Sequence, residues 1–164
     1  MPPTAEMDIA YLRRAIEVSR RSRERGNHPF GSILVDAKGD VVLEAENTFS
    51  IDKGPGHAEA NLAREAAKLL DWDDLERCTL YTSVEPCCMC AGAAYWTGIG
   101  AVVFGVTEAR LGELTGDHPE NLTLDLPCRT VFAAGRRSIE VRGPYAEIED
   151  EVLAVHKDFW VKGR

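Results

Sequence analysis

One stretch of ten residues decides how this chain is organised, Ser83-Val84-Glu85-Pro86-Cys87-Cys88-Met89-Cys90-Ala91-Gly92. It places Cys87 and Cys90 at the Cys-x-x-Cys spacing that commonly brings two thiolates to one zinc ion. The stretch follows an apolar run that predicts a buried strand, and its second half predicts a helix. The positive end of a helix lowers the pKa of a nearby thiol, which favours the thiolate form that binds metal.

An earlier triplet, His57-Ala58-Glu59, supplies a third metal ligand and a carboxylate, which the cysteine pair lacks. His57 stands at a second predicted helix start, so it and the cysteines can converge on one zinc ion. Three protein ligands leave the fourth tetrahedral position open to water, as in catalytic zinc sites. Glu59 would then carry protons. A structural zinc with Cys88 or Cys78 as fourth ligand is the alternative that the spacing leaves open.

Length, composition and net charge indicate a soluble globular protein, with a small molecule expected as its substrate. Residues 1–164 predict a single domain with its own core. The net charge of −8 makes nucleic acid an unlikely partner and argues against an anionic membrane. Three of the five cysteines fall within four residues, which indicates metal chemistry in a reducing, cytoplasmic setting. The N-terminus lacks the features of a signal peptide, and the uncharged run 86–107 contains glycines that argue against a membrane span.

The periodicity of apolar residues predicts the α/β fold class, with a three-layer α/β/α domain around a central mixed five-stranded sheet. An antiparallel hairpin is joined in it to parallel strands. Residues 108–127 are predicted to form an irregular surface insertion with one helical turn at its start. The predicted helices cover 7–25, 57–70, 87–96, 126–134 and 146–160, and the predicted strands cover 32–36, 41–46, 79–84, 101–106 and 138–142.

His57-Ala58-Glu59 followed by Pro86-Cys87-Cys88-Met89-Cys90 resembles the H-x-E…P-C-x-x-C signature of the zinc-dependent nucleobase and nucleoside deaminases. Similar residues at 29–31, 78–86 and 104–105 extend the resemblance over about two-thirds of the chain. It implies the cytidine deaminase-like fold and one catalytic Zn²⁺ per subunit, held by His57, Cys87 and Cys90. It further implies Glu59 as the acid and base of a hydrolytic deamination.

The resemblance also implies a substrate pocket. Asn47 and the backbone N–H of Ala58 would contact the edge of the substrate ring, although Asn47 also suits a turn after its strand. Trp96 would line the pocket, with packing in the core as its alternative. The remaining expected contacts are His28, Phe30, Glu85 and Pro86.

Three other predictions concern residues outside the motif. His118 and His156 are predicted to lie on the surface or on a helix face. Phe159 and Trp160 would either close the pocket or pack in the core or a dimer interface. A homodimer is expected from the resemblance.

The resemblance favours a free nucleobase or nucleoside as substrate, first a guanine-like purine and second cytosine, as in the fungal cytosine deaminases. A tRNA-adenosine deaminase is a further alternative, disfavoured by the charge of −8. Acidic residues that could contact the substrate lie in the segment 107–127, but the sequence assigns none of them; they are Glu113, Asp117, Glu120 and Asp125.

Overall fold

The computed structural model describes residues 2–161, and its five strands form one sheet in the order β2-β1-β3-β4-β5. The strands are β1 (Gly31–Val35), β2 (Val41–Glu46), β3 (Thr79–Val84), β4 (Ala101–Val106) and β5 (Glu140–Arg142). β1 pairs antiparallel with β2 and β3, whereas β3–β4 and β4–β5 are parallel. The predicted mixed sheet is therefore confirmed.

The helices are α1 (Ala5–Glu24), α2 (Phe49–Asp52), α3 (Ala58–Leu69), α4 (Trp72–Leu75), α5 (Cys88–Thr97), α6 (Glu108–Thr115), α7 (Cys128–Ala133) and α8 (Glu149–His156). None of those within residues 2–161 combines the length and apolar character needed to cross a bilayer. The short helices α2 and α4 were not predicted, because four residues are too few to show a helical period.

Side chains that alternate along the strands supply two separate cores, one on each face of the sheet. On one face Ile33, Tyr81 and Val103 pack with residues of α1 and α8. On the other face Leu34, Leu80 and Val102 pack with residues of α3, α5 and α7. The sheet is therefore the middle of three layers, and α3 and α5 lie side by side on one of its faces.

The segment between β4 and β5 and the final helix differ from their predictions. α6 has two turns rather than one, because the hydroxyl of Thr107 accepts the N–H of Arg110 and caps its start. The final helix was predicted to continue to residue 160 but ends at His156, and Asp158 has a positive φ of 61°. Phe159 and Trp160 are therefore placed by a bend rather than by a helical stripe.

A close approach between β1 and α1 depends on one glycine. A Cβ atom at Gly31 would lie 2.4 Å from the backbone nitrogen of Ser19, far inside contact distance. Only a residue without a side chain allows the strand to begin here. The neighbouring Phe30 is thereby held at the edge of the sheet where the metal ligands gather.

The buried carboxylate of Asp8 connects α1 to two distant segments. It accepts hydrogen bonds from the hydroxyls of Tyr81 and Tyr145, at 2.9 and 2.6 Å, and pairs with Arg142 Nε at 2.7 Å. Burial would raise the pKa of Asp8, but the hydrogen bonds from Arg142, Tyr145 and Tyr81 outweigh it and lower the pKa. Because the folded pKa is depressed, this contribution to stability exists above the unfolded pKa of about 3.9 and is lost as the pH falls.

Replacing Asp8 should therefore lower the stability of the folded protein at neutral pH. We expect Asp8→Asn to lower the free energy of unfolding by about 3 kcal/mol, because it leaves Arg142 without its buried partner. Urea denaturation of the zinc-loaded protein at pH 7 measures the change. Glu6→Gln, an exposed acid in the same helical turn, should change it by less than about 0.5 kcal/mol. Equal losses in the two variants would contradict the role of Asp8.

Candidate metal centre and substrate cavity

Two helix starts bring three metal-binding side chains together. His57 is the N-cap of α3 and Cys87 is the N-cap of α5, both with extended backbone angles, and Cys90 lies in the first turn of α5. The Nδ1 atom of His57 lies 3.5 Å from Cys87 Sγ and 3.4 Å from Cys90 Sγ. All three ligand atoms lie within 4.8 Å of one another.

These distances fit a zinc ion. Bonds of about 2.3 Å to sulfur and 2.0 Å to nitrogen at a tetrahedral angle separate the two ligand atoms by roughly 3.5 Å. The observed 3.4 and 3.5 Å separations match that value without movement of the helices. Hydrogen bonds from Cys90 and His57 lower the pKa of the Cys87 thiol, which favours the thiolate. The trio therefore suits zinc in both geometry and donor chemistry.

Glu59 shares the cavity with His57, although two residues along a regular helix usually point apart. The reason is that α3 begins only at Ala58, so His57 has non-helical backbone angles. Glu59 is 5% exposed, and the Thr82 hydroxyl bonds to its carboxylate. Burial raises the pKa of Glu59.

The ligands open into a partly enclosed cavity. Its wall combines ring faces with several polar groups. The lining residues are His28, Phe30, Phe49, Gly54, His57, Glu59, Val84, Glu85, Cys87, Glu108, Glu120 and Asn121.

Glu85 reaches the cavity but has its carboxylate occupied by the backbone. One oxygen accepts the N–H of Glu108 at 3.1 Å and the other accepts the N–H of Cys128 at 3.0 Å. These two N–H groups stand at opposite ends of the segment between β4 and α7. Glu85 therefore closes that segment into a loop, a contribution that its motif position did not indicate.

The other residues expected from the resemblance occupy different positions around the site. Asn47 is 1% exposed, and its Oδ1 accepts the N–H of Phe49 at 2.8 Å. No protein acceptor within residues 2–161 bonds to its Nδ2. Ala58 and Pro86 are buried beside the ligands but do not line the cavity. The N–H of Ala58 belongs to the first residue of α3 and needs no intrahelical acceptor.

Trp96 does not line the cavity, contrary to the expectation from the resemblance. Its side chain is 80% exposed on α5, where Met89 is also exposed. The reason is helical geometry, because six residues after Cys90 correspond to about 240° of rotation, away from the metal ligands. Its neighbour Tyr95 packs differently, with its hydroxyl accepting the N–H of Arg136.

The C-terminal residues pack behind one wall of the cavity. The Trp160 ring lies 4.9 Å from that of His28, and the Phe159 ring lies 5.8 Å from it. His28 Nε2 donates to Glu120 at 2.8 Å, and burial lowers the pKa of His28 despite this carboxylate. Phe159 and Trp160 thus support the wall without lining it.

His118 and His156 are predicted to lie on the surface or on a helix face; neither lies on the surface, and His156 is the last residue of α8. They are 4% and 2% exposed, because both rings pack around Trp160. The Nδ1 of His156 accepts the indole N–H of Trp160 at 3.0 Å, and burial lowers the pKa of His156 to about 3. The low pKa keeps this imidazole neutral around neutral pH.

Several lining residues were missed by the sequence analysis, among them Phe49, Glu108 and Asn121. One signal for Glu108 existed, since it follows the carboxyl end of a parallel strand, where ligand sites of α/β proteins form. Burial raises the pKa of Glu108 to about 8, and negative charge on Cys87 and Glu59 adds to the effect. No local pattern marks Phe49 or Asn121.

Comparison with known proteins agrees with the geometry. Residues 5–106 match the family described as the cytidine and deoxycytidylate deaminase zinc-binding region. A probable cytosine deaminase of Schizosaccharomyces pombe is 44% identical over 160 residues, covering 98% of this chain and 96% of the relative. A guanine deaminase of Bacillus subtilis is 35% identical over 105 residues, covering 63% of this chain and 68% of the relative.

A solved structure shows the same fold. The guanine deaminase of Nitrosomonas europaea superposes with a TM-score of 0.72 at 22% identity, covering 92% of this chain and 82% of that one. The matched residues 5–106 include the whole His57, Cys87 and Cys90 trio. The chain belongs to the zinc-binding cytidine and deoxycytidylate deaminase family.

Proposed function

We propose that this protein is a zinc-dependent hydrolytic deaminase of a free nucleobase with a single ring, of the cytosine class. The observation that carries the proposal is the position of Glu59 in a cavity beside the three zinc ligands. The sequence alone favours a purine over cytosine, and cytosine is placed first because the cytosine deaminase relative spans 98% of the chain.

The cavity supports one planar ring better than a nucleoside. Its aromatic lining, Phe30 and Phe49 with His28, suits stacking on a flat heterocycle. The His28 ring is itself stacked on Phe49, with centroids 4.2 Å apart. A ribose would have to displace part of this packed wall, so the free base is the substrate form that we propose.

The chain's own residues account for the proton transfers. A zinc ion in an open three-ligand site activates water as a nucleophile near neutral pH. Glu59 takes a proton from the attacking water and passes it to the ring nitrogen beside the amine-bearing carbon. It then takes the second proton from the hydroxyl now on that carbon and supplies it to the departing ammonia, leaving a carbonyl on the ring. The Thr82 hydroxyl holds the Glu59 carboxylate. Asn47 and the Ala58 N–H stay predicted ring contacts, since neither residue lines the cavity.

Guanine is the second candidate, favoured by the 35% identical guanine deaminase of Bacillus subtilis. Transfer RNA is disfavoured by the net charge of −8, because binding to phosphates depends on Lys and Arg.

An ammonia-release assay tests the substrate. The zinc-loaded protein should release ammonia fastest from cytosine, and at least 10-fold more slowly from cytidine, guanine and adenine, by kcat/KM. A tRNA anticodon stem belongs in the same panel. Turnover of only the stem, or of guanine above cytosine, would overturn the proposed substrate class.

The role of Glu59 is tested by its amide. Glu59→Gln should lower kcat by roughly 10²- to 10⁴-fold, because the amide cannot carry the proton, while zinc stays bound. Glu65→Gln changes a largely exposed acid of the same helix and should leave kcat unchanged. Enzyme assays with metal analysis measure both properties, and an active Glu59→Gln protein would remove Glu59 from the mechanism.

The ligand set is tested by adjacent cysteines. Cys87→Ala should abolish stoichiometric zinc, because it removes one of only three ligands. Cys88→Ala should retain one zinc per chain, since Cys88 is not in the ligand group. Metal analysis after gel filtration distinguishes them. Loss of zinc in both variants at unchanged secondary structure would revive Cys88 as a fourth ligand.

A further inference from the structure

The side-chain amide of Asn121 is a buried donor with nothing to bond to. Its Nδ2 atom is inaccessible to solvent and has no hydrogen-bond acceptor within residues 2–161, while the residue lines the cavity. An unpaired buried N–H group destabilises the folded protein, because it has given up its hydrogen bonds to water. Such a cost at the wall of a binding cavity indicates a group that is satisfied only when a ligand is bound.

Glu108 presents the complementary group to the same cavity. The residue is 8% exposed, and its carboxylate receives no hydrogen bond from the part of the chain that the structure describes, 2–161. The other cavity carboxylates differ in this respect, because Glu59, Glu85 and Glu120 all accept hydrogen bonds from protein donors. Glu108 is therefore the carboxylate left for a ligand.

The loop that carries both residues is held firmly. Glu85 binds its two ends, as described above. In the middle, Nδ1 of His118 accepts the N–H of Glu120 at 3.2 Å, and the N–H of Asn121 donates to the carbonyl of His118 at 3.0 Å. The Glu120 side chain is bound to His28. Asn121 is thus preorganised, which lowers the entropic cost of using it for binding.

We propose that Asn121 and Glu108 are specificity-determining residues that bind one polar edge of the substrate ring. Asn121 Nδ2 donates to a ring carbonyl, and the Glu108 carboxylate accepts a hydrogen bond from the adjacent ring N–H. The ligand class is a heterocycle with an unsubstituted –NH–C(=O)– edge opposite its amine. The inference rests on the proposed function only for placing the ring in this cavity.

This edge explains the preference for a base without sugar. In a pyrimidine nucleoside the sugar replaces the hydrogen of that ring N–H, so Glu108 would face a substituent and remain unpaired. A site built to hydrogen-bond a group rejects the analogue that lacks it far more strongly than a merely apolar pocket does. The discrimination comes from the hydrogen-bonding groups of the edge.

Binding of a ring that has the edge but no amine tests the proposal without any deamination. Calorimetry with the zinc-loaded protein would compare pyrimidin-2-one with 1-methylpyrimidin-2-one, which lacks the ring N–H. The wild type should bind the first at least ~100-fold more tightly. Glu108→Leu should reduce this ratio to below about 10, and Glu108→Gln, which keeps an acceptor, should restore part of it. Asn121→Leu should weaken the binding of pyrimidin-2-one by roughly 10- to 100-fold, and Asn121→Asp should weaken this binding further.

Glu113→Leu is the matched control, because Glu113 lies on the same helix and its side chain is 67% exposed. It should leave both affinities unchanged. Equal binding of the two ligands by the wild type, no binding of pyrimidin-2-one, or an unchanged ratio in Glu108→Leu would each overturn the proposal. Selective binding without ammonia release from any base would support this edge recognition and reject the proposed deaminase function, so the two failures are distinguishable.

Discussion

The carboxylate of Glu85 is the interaction on which the site depends. It extends from the carboxyl end of β3, two residues before the metal-binding Cys87, and accepts the backbone N–H groups of Glu108 and Cys128. The metal ligands and the loop opposite them are therefore positioned from the same strand end. Because the carboxylate is 7% exposed and doubly bonded, removing it would leave two buried donors unpaired.

The electrostatics of the site follow from the absence of Lys and Arg among the residues that line the cavity within residues 2–161. Glu59, Glu85 and Glu108 are each less than 10% exposed and lie beside two potential thiolates. Burial raises the pKa of both Glu59 and Glu108, because a buried site without a bound cation disfavours their charged forms. A divalent cation is the largest local charge in such a site and reverses this trend. Bound zinc would therefore favour the charged forms of carboxylates that are not among its three ligands.

The parts of the site that sequence predicts are those governed by local geometry. The four residues of the zinc site lie at helix starts, where their spacing along the chain determines how close they lie in space. They are His57, Glu59, Cys87 and Cys90. The mixed sheet, an antiparallel hairpin joined to parallel strands, followed from strand patterns and turn signals, whereas the strand order was not predicted. The wall opposite the zinc ligands could not be predicted in this way. Asn121 lies in an irregular loop. Its position depends on its hydrogen bond to the carbonyl of His118 and on the hydrogen bond by which Glu85 holds the start of the loop.

Two errors have a common physical origin. Trp96 was expected in the cavity or in the core, and His156 on the surface or on a helix face, and neither expectation took account of contacts distant along the chain. The helical rotation after Cys90 turns Trp96 outward, whereas the bend at Asp158 returns Trp160 onto the His156 ring. Tertiary packing, rather than propensity, decides which face of a helix is buried.

The placement of the three tryptophans has a practical consequence for optical work. Trp72 and Trp96 are 47% and 80% exposed, whereas the indole of Trp160 lies 4.9 Å from His28 and 5.4 Å from His118. Changing the two outer residues to phenylalanine leaves one indole fluorophore, that of Trp160, behind the cavity wall. Because indole emission moves to longer wavelength in water, this fluorophore reports directly on movement of the C-terminal segment, without any attached label.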